Sequence, residues 1–137
     1  MQARSTISVG ALRGMVAELP TLSVGRASVS ELALGSPSES PQAGVAFGAL
    51  EDEARMHWVA ALLPGALVMH VVAAPSEGVR ALFARFTKRA LDAMPIDEAC
   101  TGLFAAGVRE LCIYEVEGRR DLRVILGRRS VESTRHA

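Results

Sequence analysis

Large aromatics, cysteines and net charge are all scarce in this 137-residue chain. Aromatics make up 4% of a sequence that is 50% hydrophobic. Its core must therefore be built from Ala, Val and Leu, with Phe47, Trp58, Phe83, Phe86, Phe104 and Tyr114 as its few large pieces. Cys100 and Cys112 are the only cysteines and have no CxxC spacing, which excludes a disulfide framework of the secreted kind. A formal charge of zero removes any overall field towards nucleic acid, anionic lipid or a charged substrate. It also leaves little colloidal self-repulsion, which is tolerable if partners cover the surface. Long apolar runs are missing too: Trp58 to Ala74 is interrupted by Pro64-Gly65 and His70, too short for a spanning helix. No N-terminal segment combines a charged start, an apolar run and a small-residue cleavage site. A single lysine, Lys88, stands beside fourteen arginines, and with the abundant Ala this suggests a GC-rich coding genome. A cytosolic chain of bacterial or viral origin is the default reading.

Chemistry-bearing motifs are absent as well. There is no GxSxG elbow, no GxxxxGK[ST] and no GxGxxG. No residue earns a catalytic assignment, and no cofactor is implied.

What is present is a chain of one-domain length, enough to bury most of its apolar surface. Val9, Leu12, Met15, Val16 and Leu19 have helical spacing, with Ser5, Thr6 or Ser8 available as cap and Pro20 as stop. Thr21 to Gly35 reads as one or two short strands, and 35–44 (GSPSESPQAG) as a flexible Ser/Pro/Gly loop. Val45 to Glu53 is ambiguous between strand and helix. The runs HWVAALL and ALVMHVVAA flank Pro64-Gly65 and predict a β-hairpin that is apolar on both faces. Val79, Leu82, Phe83, Phe86, Ala90, Leu91 and Met94 mark one face of a long amphipathic helix that Pro95 stops. Ile96 to Ala106 reads as a short helix ended by Gly107. Glu110 to Val116 and Leu122 to Leu126 read as strands joined by Gly118-Arg119-Arg120-Asp121. The expected fold is α+β: a single compact domain over 1–137, an antiparallel or mixed sheet with helices packed on one face.

Few constellations can carry chemistry. If Pro64-Gly65 closes a two-residue turn, His57 and His70 fall at diagonal positions on one face, where two imidazoles have the geometry to chelate a metal. The donors available as a third ligand, Asp52, Glu53, Cys100 and Cys112, have no motif spacing to them. The competing reading of His70 is a packed, hydrogen-bonded core histidine. Cys100 and Cys112 read as small hydrophobes. Asp97-Glu98 reads as a helix start, where carboxylates oppose the N-terminal partial charge, and Glu51, Asp52 and Glu53 as a solvated helix start or turn. From Arg119 to Ala137, six Arg face two acidic residues, a candidate phosphate-binding strip or simply a solvated hairpin and tail. The strip has one nearby aromatic, Tyr114, and lacks a stacking platform, so nucleic acid is not the expected partner.

Taken as an arrangement, an N-terminal helix (Leu12 to Leu19) precedes a strand region. A strand (Ala66 to Ala74) then leads through Pro75-Ser76 into an amphipathic helix (Val79 to Met94), and a C-terminal strand pair (Leu111 to Leu126) follows. This order resembles the tail-terminator or tail-completion (neck) proteins of tailed phages. That resemblance implies a structural ring component of virion assembly, located in the virion if phage-derived. ALRGMVAELP followed by strands and GALVMHVVAAPSEGVRALFARF is similar to Roadblock/LC7 domains, which implies a dimeric regulator of a small GTPase. Both point to a non-enzymatic structural or protein-interaction domain, a homo-oligomer or a partner of other protein subunits, away from membranes. The expected interface is Trp58, Val59, Leu62, Leu67 and Val71 of the apolar hairpin, with Arg119, Arg120 and Arg123. A small metal-binding domain or enzyme using His57 and His70 is the alternative.

Overall fold

A computed structural model describes residues 5–25, 41–73 and 94–131. Ser8, in extended backbone, starts the first helix, and its hydroxyl accepts from the Ala11 N–H at 3.1 Å. This satisfies one of the N–H groups that a helix start leaves orphaned. Helix α1, Val9–Val16, buries Leu12 and Val16, one face of the expected apolar stripe. A two-residue strand β1, Thr6–Ile7, precedes it, and β2, Thr21–Gly25, follows. Next come β3 (Ala43–Phe47), α2 (Asp52–Ala60), β4 (Leu67–Ala73), α3 (Ile96–Ala105), β5 (Val108–Val116) and β6 (Arg119–Arg129).

The six strands form one mixed sheet in the order β1-β5-β6-β4-β3-β2. β2, β3 and β4 are parallel, with Val45 opposite Met69 and Ala46 opposite His70. β6 runs antiparallel to both β4 and β5, and β1 lies parallel to the end of β5. The single domain and the mixed sheet are as expected. The described helices, however, divide between the two faces, which makes the layering α/β. On one side Leu12 and Val16 of α1 pack on Val45, Phe47, Met69, Val71, Val124 and Leu126. On the other, Trp58, Val59 and Leu62 join Ala99 and Leu103 of α3 over Val68, Val72 and Ile125. Strands buried on both faces are characteristic of parallel sheets covered by helices.

The expected hairpin across Pro64-Gly65 is corrected. HWVAALL belongs to helix α2 and its end, and β4 pairs with β3 and β6 instead. Trp58, Val59 and Leu62 lie at steps of one and three, a spacing that gathers them on one helical side and buries all three. Parallel strands need a crossover between them, and α2 supplies it for β3 and β4. Gly44 lets that helix come close, since a Cβ there would lie 2.8 Å from Leu62 Cδ1 and 3.0 Å from Trp58 Cζ2. The β5–β6 hairpin is present as expected, turning at Gly118 with φ 81°. Its register shifts between Arg109 and Cys112, where Glu110 takes φ 61°. The helix expected over 79–94, apart from Met94, and residues 26–40, which include most of the 35–44 loop, lie outside the described residues.

Candidate functional site

In open α/β sheets, ligands settle beyond the carboxyl ends of the parallel strands, where helices begin and loops can vary. Here that edge holds the ends of β3 and β4 and the starts of α2 and α3. Gly48 leaves β3 with φ 80°, and its N–H donates to Val71 O at 2.8 Å. Glu51 stands at the cap position of α2, with Asp52 and Glu53 in the first turn. The Met94 N–H donates to Ala73 O at 3.1 Å, so α3 starts beside the end of β4, with Asp97 and Glu98 in its first turn. Both acidic helix starts match the sequence reading.

Arg55 organises this edge from below the surface. It is 1% exposed, yet it carries a full charge, so it requires partners. One Nη donates to Asp52 Oδ1 at 2.7 Å, and the other to Leu50 O at 2.8 Å and Met94 Sδ at 3.9 Å. Its Nε has none among the described residues. The guanidinium thus ties the turn after β3 to the segment entering α3. It occupies space left by Gly102, where an added Cβ would collide with the Arg55 guanidinium. Sequence reasoning missed this residue. Its only signal was the Asp52–Arg55 spacing of three on a helix, which does not report burial.

His70 is fully buried within β4. Its Nε2 lies 2.7 Å from Gly48 O, and a carbonyl can only accept, so the ring carries its proton on Nε2 and donates it there. Nδ1 is left as a buried acceptor with no partner among the described residues. Burial, and to a lesser degree the Arg55 charge, lower the pKa to about 4 against the opposing pull of the Gly48 bond. The ring is therefore neutral at pH 7. It meets Trp58 edge-on, with centroids 6.4 Å apart, and Trp58 Nε1 donates to Leu22 O at 3.1 Å.

An open groove of about 520 Å³ runs between α2 and α3, lined by Asp52, Arg55, Met56, Asp97, Glu98, Thr101, Gly102 and Ala105. Three carboxylates against one guanidinium leave it net anionic. Cys100 borders this helix pair, but burial first and Asp97 second push its thiol pKa up, which favours the unreactive protonated form.

The structure separates the two histidines: His57 is exposed on α2, and the shared hairpin face is gone. No group of three or more His, Cys, Asp or Glu side chains suited to a metal occurs among the described residues. Trp58, Val59, Leu62 and Val71 are packed inside the chain's own core, and Leu67 is half-buried. Arg119 pairs with Asp121 at 3.4 Å, Arg123 donates to Leu122 O, and Arg120 lies in β6. No described helix is long and apolar enough to cross a membrane.

No family model matches the chain, and no curated protein matches it. Solved structures do. A Thermotoga maritima S-adenosylmethionine-dependent methyltransferase, a possible histamine N-methyltransferase, superposes with a TM-score of 0.63 at 12% identity, covering 89% of this chain and 87% of that one. The chain has a methyltransferase-like fold. The mitomycin 7-O-methyltransferase MmcR gives 0.52 at 13% identity over 93% of this chain and 49% of that chain. A possible exported protein of Bordetella parapertussis gives 0.61 at 15% identity, covering 89% of this chain and 65% of that one. These neighbours overturn the tail-terminator resemblance and, with it, the reading as a structural protein of virion assembly. The Roadblock/LC7 and His57–His70 alternatives account for the methyltransferase-like fold no better.

Proposed function

We propose that this methyltransferase-like domain binds S-adenosylmethionine at the carboxyl edge of its sheet and transfers the methyl group to a small-molecule acceptor. The observation that carries the reading is the anionic α2–α3 groove, one end of which opens at the two helix starts beside the carboxyl edge of the strands, where this fold class holds ligands. S-Adenosylmethionine has a sulfonium and an ammonium centre and no phosphate. Its positive groups suit the donor set Asp52, Asp97 and Glu98, and the missing phosphate-cradling glycine motif is no obstacle. When bound, it supplies an electrophilic methyl carbon, which an acceptor lone pair takes from sulfur to leave a neutral thioether. Asp97 and Glu98 would hold positive charge, Arg55 would keep Asp52 and the Leu50 turn in place, and His70 would brace Gly48.

Calorimetric titration of the purified chain tests this. Saturable binding of S-adenosylmethionine and of S-adenosylhomocysteine is expected, weakened about tenfold for the first ligand in an Asp97→Asn/Glu98→Gln variant, as loss of charge-assisted contacts implies. Absence of saturable binding for both compounds would sink the proposal.

A further inference from the structure

A second groove lies at the opposite, amino edge of the parallel strands, and its chemistry is unlike that of the first. It is formed where α1 ends, where α2 turns into β4 and where β6 finishes, with a volume of about 720 Å³. That size is within the range of small-molecule sites, roughly 300 to 1,000 Å³. Its walls are mostly apolar, contributed by Met15, Leu19, Leu63, Leu67 and Leu126 with Pro64, and Gln42 adds a neutral polar side chain. Met15 and Leu63 are 39% and 38% exposed, two of the few large hydrophobics that the described residues leave open to water. Among the described residues no carboxylate lines the groove, and Arg128 is the one charged wall residue. One Nη of Arg128 donates to Gly65 O at 3.2 Å, which pins the guanidinium at the rim while the rest of its fork remains for another acceptor.

We infer that this groove binds a small amphipathic carboxylate, its head on Arg128 and its apolar body along Met15, Leu63 and Leu126. The charge complementarity selects the ligand. A mostly apolar trough whose described charged wall residue is one cation disfavours organic cations and gives a neutral chain no fixed head position. One planar guanidinium matches the two oxygens of a carboxylate, whereas a phosphate dianion would call for a second cation. The inference does not rest on methyl transfer, because the two grooves share no residue.

Decanoate, kept below its micelle concentration, is the probe, with decyltrimethylammonium as the same tail bearing the opposite head. Saturable decanoate binding by calorimetry is expected, at least tenfold tighter than the cation, and Arg128→Gln should erase most of that preference. Met15→Glu should abolish decanoate binding while circular dichroism confirms the fold and S-adenosylmethionine titration stays unchanged. Equal binding of the two heads, or an Arg128→Gln variant with wild-type affinity for decanoate, would overturn the proposal. So would sedimentation showing a dimer that Leu63→Asp dissociates and decanoate does not, because the occupant would then be a second copy of the chain.

Discussion

On the face covered by α1, the buried cluster consists of aliphatic side chains around Phe47, whereas the face covered by α2 and α3 has also taken in Arg55, His70 and the indole of Trp58. The sheet between them is the same, so the difference lies in what each face positions. The α1 face holds the strands together. The other face adds hydrogen bonds that run from the interior to the turns beyond β3 and β4, at Gly48, Leu50 and Asp52. Buried polar groups are costly unless satisfied, and two atoms here, Arg55 Nε and His70 Nδ1, are unpaired among the described residues. One side is optimised for burial, and the other gives up part of that burial to hold loops in place.

The largest expected effect tests the aliphatic side. Phe47→Ala should destabilise by about 3–5 kcal/mol, the usual result of emptying a large core site. Urea denaturation at pH 7 and pH 5 should give the same loss, because the described residues buried in that cluster are all apolar.

The second tests the polar side through pH. The folded pKa of His70 lies near 4, below the unfolded value of 6.5, so the unfolded chain binds the extra proton first as pH falls. The His70 contribution is therefore fully present above pH 6.5 and is lost as pH drops to 4, a change of roughly 3 kcal/mol. His70→Gln should flatten that slope in denaturant titrations from pH 7 to 4. An unchanged slope would place the titration elsewhere.

The smallest effect concerns fit. Gly102→Ala would bring a Cβ onto the Arg55 guanidinium and should cost about 1–3 kcal/mol, as overpacking does. In an Arg55→Met background the penalty should largely vanish, and a double-mutant cycle reads the coupling.

Much of this architecture was legible in the sequence where local chemistry decides. The Ser8 cap, the acidic starts at Asp52 and Asp97 and the turn at Gly118 each satisfy a backbone need within a few residues. What failed depends on neighbours far away in sequence. HWVAALL reads as a buried strand because consecutive apolar residues look alike in a central strand and in a helix wedged against a sheet. The fact that decides it is the parallel pairing of β3 with β4, which no single segment encodes. The site fared likewise: Arg55 is an ordinary surface-looking residue until Gly102, nearly fifty positions on, leaves room for its head group.

The bulge in β5 has a consequence for how the molecule behaves in concentrated solution. β1 covers only the last two residues of that strand, at Glu115 and Val116, so most of its outer backbone is left without a described partner. A long, flat strand in that situation is a template for edge-to-edge aggregation. The kink at Glu110 breaks the regular spacing of donors and acceptors, and it places the charged side chains of Arg109 and Glu110 at the exposed start of the strand. A protein with no net charge to keep its copies apart thus carries its safeguard against fibril-like stacking in the backbone itself.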